Sequence, residues 1–214
     1  MMQPDRQGLK NPSPLGAGHR NPRQWQALFT DLRSQMILIG MFDSPFVRRV
    51  AVSMAVLGIP YEHRNWSVGK DFDRIREFSP LGRVPTLVLD DGEALIESAM
   101  ILDYLDEQAG ARRLLPASGD ARRQAQRIMA FATGAAEKAV AQVYEGAWRP
   151  REKWHQPWVD RCNTQMHGAL TVLEHACANA SPWLLGARLS QADITVVCAT
   201  TFLSDTVGLG SHSY

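Results

Sequence analysis

Cysteine is scarce, long apolar runs are missing and net charge is almost nil, and each shortage removes a class of function. The three cysteines among 214 residues, Cys162, Cys177 and Cys198, stand in helical-looking stretches with no CxxC or CxxH spacing. An odd number forbids complete intrachain pairing, so they read as reduced, buried thiols, and no metal site is expected. No apolar run approaches the roughly 20 residues of a membrane helix, and the N-terminus lacks the apolar centre of a secretory signal. A membrane is therefore not an expected partner. With 23 basic against 22 acidic residues, a formal net charge of +1 and no long basic run, nothing marks a nucleic-acid surface. What remains is a cytoplasmic globular chain, 45% apolar and 21% charged, long enough for one large domain or two small ones.

Proline and glycine are unevenly spread. Residues 1–35 hold Pro4, Pro12, Pro14, Pro22, Gly8, Gly16 and Gly18 in a polar setting, which predicts a mostly disordered extension. Trp25, Leu28, Phe29 and Leu32 are spaced for a short helix over 22–33. From Met36 the texture changes. The apolar run 36–41 has the length of a strand buried on both faces. A helix over 45–57 follows, with Phe46, Val50, Met54 and Leu57 in one stripe and Val52 and Val56 on another side, predicting cover on two faces. Gly58 and Pro60 stop it. A strand over 61–66, a short helix over 71–78, a hairpin of 84–89 and 94–96 about Asp90-Asp91-Gly92, and a helix over 98–108 complete the order βαβαββα. In that last helix Ile101, Leu102 and Leu105 are expected inward, and Asp103, Asp106 and Glu107 outward.

After a linker at 113–119 strand signals cease. Helical patterns cover 120–148, 153–178 and 190–207, the last opened by a capping box of Ser190 and Asp193, with Ile194, Val197 and Thr201 at helical spacing. The expected fold class is an α/β domain over 36–112 followed by an all-helical domain over 120–214.

The stretch 79–98 carries the clearest chemistry. Pro85 falls inside the first hairpin strand, where it removes a ladder donor, so that strand must leave a backbone edge free or contain a cis bond. A free edge can bind a peptide. Glu97-Ser98 closes the hairpin and opens a helix, so the Ser98 hydroxyl and the first amides of that helix point at one spot suited to an anion.

Four local patterns, in order along the chain, carry a family resemblance. Ser44-Pro45-Phe46-Val47 with Arg49 looks like a serine-type active-site turn, Arg83-Val84-Pro85 like a cis-proline motif, and Glu97-Ser98 like the pair that grips a γ-glutamyl group. Gly186 through Ser190-Gln191-Ala192-Asp193 is similar to a capping motif of the helical domain. From Met36 onward the chain resembles the cytosolic glutathione S-transferases, tau-like members in particular. The resemblance implies a thioredoxin-like N-terminal domain that binds glutathione and an all-α C-terminal domain that holds an electrophile. It implies Ser44 as the catalytic residue, with Lys70, Arg83, Val84, Pro85, Glu97 and Ser98 on glutathione. Phe46, Tyr144 and Trp148, with Trp154 behind them, are the candidate apolar wall. It also implies a homodimer across the first domain's last helix and the second domain's first, with glutathione as co-substrate and no further cofactor. Family members continue beyond the capping-box helix, so the end at Tyr214 reads as short, and the leader 1–35 is extra to the family.

A thiol with a pKa near 8.5 must drop by about 2 units, roughly 2.7 kcal/mol, to be mainly thiolate at neutral pH. A hydroxyl hydrogen bond to a charged acceptor contributes about 1.5–3 kcal/mol and a helix N-terminus about 0.3–1 more, so Ser44 before Pro45 is placed to supply it. Each residue also has a plainer reading. Asp43-Ser44-Pro45 is a sound helix cap by itself, Pro85 fits an edge strand, and Glu97-Ser98 fits a solvated acid with a cap. Lys70 fits a loop lysine, the aromatics fit a core, and His155 fits a helix start. The expected function is conjugation of the glutathione thiolate to a hydrophobic electrophile. Glutathione-dependent isomerisation or peroxide reduction, and a non-catalytic binding protein, stand beside it. Serine at position 44 argues against disulfide reduction through the protein's own thiol.

Overall fold

The computed structural model describes residues 36–208. The disorder expected over 1–35, the helix expected over 22–33 and the stretch 209–214 lie outside the described residues. Strand β1 (Ile37–Ile39) is short and apolar because it is the centre of the sheet. β2 (Glu62–Arg64) pairs with it in parallel on one side and β3 (Thr86–Val88) antiparallel on the other, and β4 (Ala94–Ile96) adds to β3, giving the order β2-β1-β3-β4. A parallel pair needs a crossover, and α1 (Pro45–Leu57) provides it. Ser44 caps α1, Pro45 takes the first helical position where its missing N–H costs nothing, and Gly58 ends the helix in the left-handed conformation.

Val47, Val50, Met54 and Leu57 of α1 pack on Leu38 and Leu87 of the sheet and on Ile101, Leu102 and Leu105 of α3 (Ser98–Ala109). The opposite sheet face is closed by Ile39, Val88 and Ile75, the last from the short α2 (Phe72–Arg76). Three long helices follow: α4 (Gly119–Trp148), α5 (Gln156–Ala178) and α6 (Gln191–Val207). Their core is built on alanine from α4, with Ala125, Ala132, Ala135, Ala136 and Ala139 against Met166, Leu173, Phe202 and Leu203. Small side chains along one stripe let the helix axes approach closely. Helix α6 divides its face between two cores: Ala192, Val196 and Ala199 join the α4–α5 core, whereas Ile194 and Cys198 join that of α1 and the sheet. The expected class, an α/β domain followed by a helical one, is the fold observed.

Several finer expectations are corrected. Pro85 precedes β3 rather than lying within it. Val52 and Val56 are 38% and 48% exposed. The second covered side of α1 is polar instead, formed by buried Arg49 and Ser53. The Ser53 hydroxyl reaches Arg49 O (2.7 Å) and Gln191 Oε1 (3.0 Å) on α6. Asp106, expected outward, is buried because its carboxylate accepts the Leu114 and Leu115 amides at 2.8 and 2.9 Å, closing the end of α3. Cys177 is exposed rather than buried, and Val197 faces outward, since α6 turns Ile194 and Cys198 inward.

The capping box of α6 does form. The Asp193 carboxylate gathers Leu184 N (2.8 Å), Ser190 N (2.8 Å) and the Ser190 hydroxyl (2.6 Å). Replacing it leaves buried donors unmatched, so Asp193→Ala is expected to lower stability by about 2–3 kcal/mol in urea unfolding, with Asp193→Asn recovering part of the loss.

Candidate functional site

Three chain segments meet beside β1: the start of α1, the turn before β3 and the start of α3. The first is placed by the loop that leaves β1. The Phe42 ring stacks on His63 of β2 with centroids 3.9 Å apart, His63 Nε2 lies 2.8 Å from Gly40 O, and Arg48 Nε donates to Phe42 O at 2.8 Å. Gly40 has φ +132, and a Cβ there would lie 2.5 Å from Val47 Cγ2 and 2.8 Å from Val84 Cβ. Only glycine lets α1 and the pre-β3 turn close so tightly. Ser44 is half-buried at the head of α1. Its Oγ accepts Val47 N at 3.3 Å, so its oxygen serves the helix while its hydrogen remains available to donate. The plain cap and an outward donor are thus one arrangement.

The Val84–Pro85 peptide bond is cis. Among the described residues the Val84 N–H and C=O take part in no backbone hydrogen bond. Phe46, Arg83, Val84, Pro85, Glu97 and Ser98 line one cleft, together with Leu81, Ile96 and Glu137 of α4. Ser44, Lys70, Tyr144 and Trp148 are not among its lining residues.

Glu97 holds φ +66 at the head of α3, a left-handed conformation seldom taken by residues with a side chain. Its carboxylate pairs with exposed Arg83 at 2.8 Å. Behind them Ser98 is 3% exposed, and its Oγ accepts Arg49 Nε at 3.1 Å and Arg49 Nη2 at 2.7 Å. Arg49 is itself buried. Burial pushes its pKa down to about 10, opposed by Cys198, Glu97 and Glu137, so it stays charged at neutral pH. Burial raises the Cys198 thiol in turn, against the pull of Arg48 and Arg49.

Tyr144, exposed on α4, has its phenol pKa raised, chiefly by burial, with Arg83 acting to lower it and Asp43 to raise it. Trp148 ends α4 with its indole over the turn at 67–70, where a Cβ on Gly69 would lie 3.8 Å from the ring. Lys70 belongs to that turn, exposed and in no ion pair among the described residues. Trp154 donates to Arg149 O at 3.0 Å, and His155 is the N-cap of α5, its amide on Glu145 Oε1 at 3.1 Å. Among the described residues no group of three or more His, Cys, Asp or Glu is arranged to hold a metal ion.

Of the expected residues, Phe46, Arg83, Val84, Pro85, Glu97 and Ser98 share the cleft, Lys70 and Trp148 belong to the surroundings of the 67–70 turn, and Ser44 and Tyr144 line neither. Sequence reasoning named Arg49 with the active-site turn but gave it no role, and it missed Leu81, Ile96 and Glu137 as site residues. The signal for Arg49 was a polar pair four residues apart, Arg49 and Ser53, inside a helix whose only other polar residue is Arg48, which marks a buried polar row as readily as a solvated face.

Residues 38–113 match the glutathione S-transferase N-terminal domain and residues 156–212 the glutathione S-transferase C-terminal domain. An uncharacterised GST-like protein of Escherichia coli (strain K12), YibF, is 28% identical over 169 residues, 79% of this chain and 82% of that one. A probable maleylacetoacetate isomerase 2 of Drosophila melanogaster is 28% identical over 171 residues, 76% of this chain and 72% of the other. A glutathione S-transferase from Methylobacillus flagellatus KT, solved with GSH (glutathione) bound, superposes with a TM-score of 0.75 at 28% identity, covering 81% of this chain and 85% of that one. The chain belongs to the glutathione S-transferase family, and its sheet and helical parts are that family's thioredoxin-like and all-helical domains.

Gly40→Ala is expected to cost about 1–3 kcal/mol from its backbone conformation alone, plus the overlap with Val47 and Val84. Gly92→Ala, also at positive φ but with open space around it, isolates the conformational part. Denaturant midpoints that fall further for Gly40→Ala than for Gly92→Ala measure the closeness of the three segments.

Proposed function

We propose that this protein is a glutathione transferase that joins the glutathione thiolate to a hydrophobic electrophile. The observation that carries the reading is convergence. A backbone edge at a cis-proline and a buried serine at a second helix start line one small cleft together with Phe46, two residues beyond the helix-capping hydroxyl of Ser44. In this reading Val84 pairs its N–H and C=O with the cysteinyl backbone. Glu97 and Ser98 take the ammonium and carboxylate of the γ-glutamyl end, and Pro85 keeps the edge open. Arg83 orients Glu97, and Lys70 reaches the glycyl carboxylate across the mouth of the site.

Ser44 donates its hydroxyl hydrogen to the cysteinyl sulfur, and the thiol proton leaves to solvent. The thiolate then forms a carbon–sulfur bond as the bond to the leaving group breaks. No covalent bond to the protein forms. The first turn of α1 carries no acidic residue, so nothing there offsets its positive end. Phe46, Tyr144 and Trp148 supply the apolar side for the electrophile, with the Tyr144 phenol, protonated at neutral pH like any tyrosine, as a donor there.

The similarity to a probable maleylacetoacetate isomerase favours a second reading with the same residues. There the thiolate adds reversibly to an unsaturated carbon, the adduct rotates, and the sulfur is expelled. Neither reading needs a cofactor beyond glutathione. The proposal includes a homodimer across α3 and α4, supported by the exposed Met100 on α3. It also includes a cytoplasmic location, supported by three free cysteines. Among the described residues no helix is long and apolar enough to cross a membrane.

The test combines retention on glutathione-agarose with turnover of a generic aryl halide. Retention and turnover are expected for the native chain. Ser44→Ala should keep retention, lose about ten- to a hundredfold in kcat/KM and move the pH profile to the alkaline side, as loss of one hydrogen bond to a charged sulfur requires. Turnover unaffected by the substitution would remove Ser44 from its role, and retention without turnover would leave a binding protein.

A further inference from the structure

A guanidinium presents its N–H groups in a rigid planar fork, and here two of them converge on a single hydroxyl oxygen, Arg49 Nε and Nη2 on Ser98 Oγ. A serine hydroxyl has two lone pairs and one hydrogen. With both lone pairs engaged, the hydrogen has to leave on the other side, and Ser98 lines the cleft while Arg49 does not. An unrestrained hydroxyl would serve a donor or an acceptor equally well. This one is committed to acceptors.

The charge behind it points the same way. Among the described residues Arg49 forms no contact ion pair; the acids that act on it, Glu97 and Glu137, do so from further off. A buried cation without a contact partner is costly, and an anion seated on Ser98 would be its nearest compensation. Apolar packing already joins α1 and α3, since Val50 and Met54 share a core with Ile101 and Leu105. The polar contact therefore does something that apolar packing cannot.

We infer that Arg49 is a positioning residue that fixes Ser98 as an obligate donor, so that this end of the cleft favours a ligand carboxylate over the corresponding amide, whose neutral oxygen accepts only a weaker hydrogen bond and whose N–H groups find no acceptor on Ser98. The inference rests on the glutathione reading above. It adds a specificity determinant outside the cleft wall, acting through a residue of that wall.

Titration calorimetry of the full chain tests it with two probes, glutathione and its analogue with the γ-glutamyl α-carboxylate converted to the amide. The native chain should prefer glutathione by about tenfold or more, and Arg49→Met should weaken glutathione by about ten- to a hundredfold while leaving the amide nearly unchanged. Ser98→Ala should abolish the preference, and Arg49→Met added to it should change nothing further. Equal weakening of both probes by Arg49→Met, or additive losses in the double variant, would mean a structural role only and overturn the inference. A native chain that binds both probes equally overturns it as well. If circular dichroism shows Arg49→Met unfolded, Arg49→Lys decides: a lower preference with both probes still bound supports the inference, and a native preference refutes it. Failure of the native chain to bind glutathione would remove the functional reading and this inference together. Binding with a preference that no variant alters removes the inference alone.

Discussion

Arg49 brings a guanidinium into the interior, where it is 4% exposed and held by the hydroxyl of Ser98 on a different helix. Moving such an ion out of water costs several kcal/mol unless hydrogen bonds answer it, so the positions of both partners are closely determined. The consequence is geometric. Ser44 heads the helix that carries Arg49, Ser98 opens the helix that answers it, and the Val84–Pro85 turn lies between them against Gly40. Fixing one polar contact orients two helix starts and the wall that joins them.

Charges of both signs then border one cleft: Arg49 behind Ser98, Arg83 paired with Glu97, and Glu137 from α4. A mixed border of this kind suits a zwitterionic head group better than a simple anion, in keeping with the proposed amino-acid end of the ligand. The aromatic residues on α4 lie on the other side, near Asp43 and the 67–70 turn.

Much of this was legible along the chain because local signals and tertiary demands agreed. The run 36–41 is apolar throughout because β1 within it is flanked on both edges and covered on both faces. The α6 capping box was readable because Ser190 and Asp193 satisfy each other within one turn. Asp106 was not readable as buried, since its partners are amides eight and nine residues on, in a loop whose path no periodicity reveals. Val52 and Val56 misled for the opposite reason: apolarity favours burial only when some element arrives to cover it, and α6 arrives over Arg49 and Ser53 instead. In the site, the motif residues were visible as types in order, whereas Arg49 needed its Ser98 contact to separate a buried ion from a surface one.

Helix α6 is the last described element, yet it completes the core that β1 begins, through Ile194 and Cys198, and it meets α1 again at Gln191. The described residues accordingly form one compact unit, although two family domains divide them. The linker between α3 and α4 follows the end of one family domain without dividing the fold. Exchange of helical halves among relatives would succeed only where the incoming strip of α6 matches the flank of α1, so the two halves are bound to change together.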